Sequence, residues 1–215
     1  MKIVGLLDSP FVRRTVITAR MLGIPFEHQS LSVFRNFDEF HAINPLVKAP
    51  TLVLDDGGVM VDSSLIIDWF ERTGPAGRSL WPAGPAQLKR CLQLTGFGLA
   101  AAEKGVHRVY ETKVRPPESR DLGWLRRVEG QIRDTFGELE KRVPSEGDWL
   151  CGEAPTQAGK GVLADGGAQH PVREAVAQAP RDLRIIGMAQ QRLDVVAAPG
   201  AQAEAFALQP RIRHD

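Results

Sequence analysis

Asp8-Ser9-Pro10-Phe11-Val12-Arg13-Arg14-Thr15 is the stretch whose residue types and spacing can do chemistry. An apolar, strand-like run, Ile3-Val4-Gly5-Leu6-Leu7, precedes it. From Val12 to Leu22 the residues Val12, Val16, Ala19 and Leu22 fall on one helical face. A hydroxyl at such a strand-to-helix junction lies beside the unpaired N–H groups of the first helical turn. Those groups and the positive end of the helix dipole favour an anion there. A thiol bound at this place ionises more easily, and the Ser9 hydroxyl can donate a hydrogen bond to its sulfur. A second reading fits equally: an N-cap serine before a proline at the first helical position. Residue types alone leave both open.

The elements around this stretch alternate over the first 73 residues. Phe26 to Leu31 reads as a second strand after the turn Gly23-Ile24-Pro25, and Phe37 to Ile43 as a short helix ended by Asn44-Pro45. Thr51 to Leu54 and Val59 to Val61 form a hairpin about Asp55-Asp56-Gly57-Gly58. Asp62-Ser63-Ser64 then caps a helix carrying Leu65, Ile66, Trp69 and Phe70. The order predicts an α/β unit with a mixed sheet. A Pro/Gly-rich linker, Thr73 to Pro85, marks a domain boundary. Two long helices follow, from Ala86 to about Lys113 and from Asp121 to about Val143. The second repeats Leu122, Leu125, Val128, Ile132, Phe136 and Leu139 at helical spacing, a core face.

Composition narrows the function classes. At 215 residues with 43% hydrophobic and 25% charged content, the chain suits one large or two small globular domains. A net charge of +1 without a long basic run points to neither nucleic acid nor an anionic membrane. No apolar span is long enough to cross a bilayer, and Asp8 interrupts the apolar start before a signal peptide forms, so the cytoplasm is expected. Cys91 and Cys151 are far apart in sequence and make neither a disulfide scaffold nor a CxxC site; they read as buried, inert thiols. No metal is expected, since His28 and His41 lack a ligand pattern. His107, in the first long helix, reads as a structural residue or as facing a substrate pocket. Phe11, Phe34 and Tyr110 read as core packing or as walls of that pocket.

Several features coincide in order and spacing, and with them residues 1–158 resemble a bacterial cytosolic glutathione transferase of the serine type. Ser9-Pro10-Phe11-Val12-Arg13 is similar to the family's active-site turn. Asn44-Pro45-Leu46-Val47-Lys48-Ala49-Pro50-Thr51-Leu52 is similar to its cis-proline segment, and Asp62-Ser63 to the acidic-Ser pair opening its third helix. In the second half, Arg108-Val109-Tyr110-Glu111, Arg115-Pro116-Pro117-Glu118 and Trp149-Leu150-Cys151-Gly152-Glu153 resemble related bacterial sequences.

The resemblance implies a thioredoxin-like N-terminal domain over 1–75 and an all-α C-terminal domain over 86–158. It also implies a homodimer that attaches glutathione, its co-substrate, to small hydrophobic electrophiles in detoxification. Ser9 would activate the thiol. Phe11, Lys48, Ala49, Pro50, Asp62 and Ser63 would bind the tripeptide: Ala49 through its backbone beside a cis Pro50, Asp62 at the α-ammonium, Ser63 at the α-carboxylate, and Lys48 at the glycyl carboxylate or in solvent. Rival readings on the same scaffold are a non-enzymatic binding protein and a glutathione-dependent isomerase or lyase. A thiol–disulfide reductase is disfavoured, because that chemistry wants a cysteine where Ser9 stands.

The pattern breaks after Ala158. The resemblance implies that the helix start at Thr156 continues with an Asp at the fourth place, which would complete a capping box, yet Gly159-Lys160-Gly161 follows. Two glycines in a first turn cost about 1 kcal/mol each relative to alanine. Residues 159–215 then lack a strongly apolar helix and keep only weak helical stretches, Val172 to Ala179 and Ala201 to Leu208. They read as an atypical tail, frameshifted or disordered; the alternative is a naturally divergent C-terminus.

Overall fold

The computed structural model describes residues 1–142, 150–151 and 156–158. The tail at 159–215, with its two weak helical stretches, and Trp149, Gly152 and Glu153 lie outside the described residues. Four strands, β1 (Lys2–Val4), β2 (Glu27–Gln29), β3 (Thr51–Val53) and β4 (Val59–Val61), form one sheet in the order β2-β1-β3-β4. β1 runs parallel to β2 and antiparallel to β3, and β3 runs antiparallel to β4. This is the mixed sheet expected from the element order.

Alternation along β1 divides the core between two faces. Ile3, paired with Leu52, packs with Val12, Val16, Ala19 and Leu22 of α1 (Pro10–Leu22) and with Ile66 and Phe70 of α3 (Ser63–Thr73). Val4 points to the other face, where Phe40 of α2 (Phe37–Ile43) and Leu31 cover it. The predicted apolar stripe of α1 is therefore its buried face.

The strands are shorter than the apolar runs suggest. β1 ends at Val4 instead of Leu7, because Gly5 turns the chain at φ +139° into the approach to α1. A Cβ on Gly5 would stand 2.6 Å from Val12 Cγ2 and 3.0 Å from the Ala49 Cβ, so only glycine lets these segments close. Past that turn Leu7 is exposed. β2 likewise covers only the middle of Phe26 to Leu31. His28 Nε2 is 2.8 Å from the Gly5 carbonyl, a structural contact at the sheet's end.

Beyond the linker, α4 (Pro85–Val109) and α5 (Leu122–Glu140) pack together, joined by a π-helical turn (Tyr110–Val114) and a short 3-10 turn (Pro117–Ser119). Buried Glu111 organises this corner, accepting from the Asp121 N–H at 2.5 Å and pairing with Arg115 Nε at 2.9 Å. Asp121 in turn caps α5 by accepting from the Trp124 N–H. Val128, Ile132 and Leu139 are buried as their spacing predicts, whereas Leu122, in the first turn, is 61% exposed. It is too close to the helix end for α4 to cover it.

The linker is anchored at both ends of the molecule. Leu80 packs on the α/β core and its neighbour Trp81 on the α4–α5 core. Gln157, 1% exposed, ties them further. Its backbone N–H donates to the Leu80 carbonyl at 3.1 Å, its amide nitrogen to Glu71 at 2.9 Å, and its amide oxygen accepts from the Thr18 hydroxyl at 3.3 Å.

Candidate functional site

Ser9 is the N-cap of α1, with Pro10 opening the helix. Its Oγ accepts a long hydrogen bond from the Val12 N–H at 3.4 Å, which uses an oxygen lone pair and leaves the hydroxyl proton free to donate. The capping and thiol-binding readings of Ser9 are therefore compatible. An accepting hydroxyl is also a better donor, because the two bonds polarise one another.

The chain crosses toward Ser9 again at Asn44–Pro50. Buried Asn44 donates to the Thr51 hydroxyl at 2.9 Å and accepts from the Leu46 N–H at 3.0 Å; Thr51 donates to the Lys48 carbonyl at 2.7 Å. These bonds hold a tight loop in which Val47 has φ +47° and the Ala49–Pro50 peptide is cis, as the resemblance implies. A left-handed β-branched residue costs energy and persists where the surroundings impose it. The β1–β3 ladder ends at the Val4–Thr51 pair, so the Ala49 backbone lies beyond it.

The third segment is the start of α3. Asp62, at φ +73°, caps the helix with Oδ1 accepting from the Ser64 N–H at 2.8 Å. Its Oδ2 stands 3.8 Å from Lys48 Nζ, with both side chains about half exposed. Asp62 thus keeps one oxygen for an ammonium partner while the other fixes the helix start.

One residue binds these segments together, and the sequence reading passed it over. Arg14, 4% exposed, reaches from α1 to α3 and donates through Nη1 to the hydroxyls of Ser63 and Ser64, each at 3.0 Å. Burial pulls its pKa down to about 10, opposed by the nearby Asp62 carboxylate, so it stays charged at neutral pH. A cation this near a helix N-terminus opposes the helix dipole. That local misfit, beside the apolar face of Val12, Val16, Ala19 and Leu22, is the signal that could have marked it. Arg13 is buried as well.

Lys48 pairs with Asp62, Arg14 ties α1 to Ser63, and Ala49 packs on the core cluster that holds Val12, three residues after Ser9. Phe11 stands in the first turn of α1, half-buried, with its carbonyl accepting from the Thr15 hydroxyl. Phe34 and Tyr110 are not core residues: they are 48% and 46% exposed and meet edge to face at 5.5 Å, bridging the α/β unit and the end of α4. His107 rests near Trp124, centroids 6.1 Å apart, and its buried Nδ1 has no hydrogen-bond partner. No three His, Cys, Asp or Glu side chains cluster as metal ligands among the described residues. No helix among them is long and apolar enough to cross a membrane.

A mixed four-stranded sheet with the helices α1, α2 and α3, followed by a helical unit, defines a thioredoxin-like domain with an α-helical one attached. Residues 3–78 match the family described as glutathione S-transferase, N-terminal domain. The uncharacterized GST-like protein YibF of Escherichia coli (strain K12) is 29% identical over 140 residues, 65% of this chain and 68% of its own. Two solved structures share the fold. A glutathione S-transferase from Methylobacterium radiotolerans, in complex with glutathione sulfonate, has a TM-score of 0.71 at 21% identity, covering 100% of this chain and 98% of its own. One from Methylobacillus flagellatus, with GSH bound, has 0.69 at 16%, covering 95% and 98%.

Proposed function

We propose that the protein is a glutathione transferase in which Ser9 holds the glutathione thiolate for attack on a small hydrophobic electrophile. The observation that carries this reading is the Arg14 link: from α1 its Nη1 donates to the hydroxyls of both Ser63 and Ser64 at the start of α3, so a buried cation lies between the N-terminal parts of the two helices. Such a corner suits a ligand with an ionisable thiol at one end and an α-carboxylate at the other. A free thiol near its ordinary pKa of about 8.5 is mostly protonated at neutral pH. Donation from Ser9 to the sulfur supplies about 1–3 kcal/mol in favour of the thiolate. Asp62 Oδ2 takes the α-ammonium, the Ser63 hydroxyl and α3 amides the α-carboxylate, and the Ala49 backbone pairs with the cysteinyl part. Lys48 is within reach of the glycyl carboxylate. The exposed Phe34–Tyr110 pair offers the electrophile an apolar wall.

Detoxification in the cytoplasm, by a homodimer, completes the reading; the exposed Val59, Leu65 and Leu92 give a second copy apolar surface to cover. Residues 1–75 serve as the glutathione-binding domain and 86–158 as the helical one, with 159–215 a replaced tail. Retention of the purified full chain on immobilised glutathione, with conjugation of a chromogenic electrophile, tests the function. Retention with turnover is expected; passage through the column by a folded, monodisperse protein contradicts it. Translating the coding DNA in the other two frames past codon 158 tests the tail. One frame is expected to give an acidic-led apolar helix, and two frames without one contradict the replacement.

A further inference from the structure

Two thiols far apart in sequence meet inside the helical unit. Cys91, in α4, is fully buried and Cys151 is 4% exposed, and both sit in one apolar cluster with Leu94, Leu139, Leu150 and Ala158. Both are free thiols. The residues just before them are already fastened: Arg90 Nε donates to the Leu150 carbonyl at 3.3 Å. That bond brings the segment holding Cys151 against the first half of α4, and the two cysteines lie in the same buried cluster.

We propose that Cys91 and Cys151 are a redox pair, which a low-molecular-weight disulfide or a hydroperoxide closes into one intramolecular disulfide fastening Cys151 to α4. With a disulfide as oxidant, one cysteine thiolate attacks a sulfur and releases the first thiol. The second cysteine then attacks the mixed disulfide and releases the other, so the oxidant leaves as two thiols. With a hydroperoxide, one cysteine becomes a sulfenic acid as the alcohol, or water, departs; the second thiol displaces the hydroxyl as water. Either way the pair loses two electrons and two protons.

The shared cluster matters because it keeps the resolving thiol close by. Burial, together with the neighbouring Cys91, pushes the Cys151 thiol up to about 11, while the Arg90 charge opposes the rise. Little thiolate is present at neutral pH, so oxidation is slow, and the surrounding apolar side chains shield the bond once it forms.

The test treats the full-length protein with glutathione disulfide, and separately with hydrogen peroxide, before denaturation, alkylation and mass measurement. The expected result is joint loss of both alkylation sites, a mass lower by two hydrogens, and one peptide linking Cys91 to Cys151 within a single chain. A thiol reductant restores both sites. Cys91→Ser is expected to halt at a glutathione adduct or sulfenic acid on Cys151. The parent-chain measurement stands alone if that variant fails to fold. Two alkylatable cysteines after a treatment that fully oxidises the denatured chain overturn the proposal, as do disulfides joining two chains or adducts persisting on one cysteine.

Discussion

At the scale of single side chains, Ser9 caps α1 and Arg14 bonds the hydroxyls of Ser63 and Ser64 at the start of α3. Ser9 was legible from its place before Pro10, and Asp62 and Ser63 from their cap signature, because capping needs particular residue types at particular offsets. Arg14 was not: which way a long side chain turns is set by what the opposite helix offers, here the hydroxyls of Ser63 and Ser64. Replacing it by lysine keeps the charge but loses the rigid, planar guanidinium whose Nη1 meets both hydroxyls. Arg14→Lys is expected to raise the KM for glutathione about tenfold, equivalent to one lost hydrogen bond, with kcat little changed. Steady-state kinetics with glutathione varied checks this; an unchanged KM would remove Arg14 from the binding account.

At the scale of elements, the sequence predicted the described α-helices, but α4 ends at Val109 and passes into a π-helical turn where one helix to about Lys113 was expected, and α5 ends at Glu140, short of about Val143. Strand ends were missed because Gly5 stops β1 for a reason that lies across the fold, in Val12 and Ala49. The end of α5 shows how local charge contributes to an element. Hydrogen bonds from Lys141 and Arg142, and then the Lys141 charge, hold Glu138 below its ordinary 4.5, at about 2. A carboxylate with a depressed folded pKa stabilises the fold above its unfolded value and loses that contribution as pH falls through the folded one. Glu138→Gln is therefore expected to lower the thermal midpoint above pH about 4.5, with the difference from the parent fading toward pH about 2. High salt should shrink it, because the group is exposed. Melting curves across that range check it, and a difference that grows on acidification contradicts it.

For the whole molecule, the join between the two units was the least legible feature. The linker's Pro/Gly composition announced a boundary but not that Leu80 and Trp81 grip opposite cores, nor that Gln157 bonds Thr18, Glu71 and Leu80 at once. These contacts join positions far apart in sequence, where no short-range pattern reaches. Gln157→Leu keeps the bulk and leaves the partners of the amide unpaired. It is expected to cost about 1–3 kcal/mol, read from urea denaturation; no measurable loss would show that the clamp does not hold the units together. The Cys91–Cys151 meeting escaped the sequence for the same reason.

The most direct test is the ultraviolet thiolate absorbance of bound glutathione, titrated with pH in the parent protein and in Ser9→Ala. The account predicts a bound thiol that ionises about one to two pH units below free glutathione in the parent, returning toward the free value when the hydroxyl is removed. Identical titration curves for the two proteins, with glutathione bound in both, would contradict it.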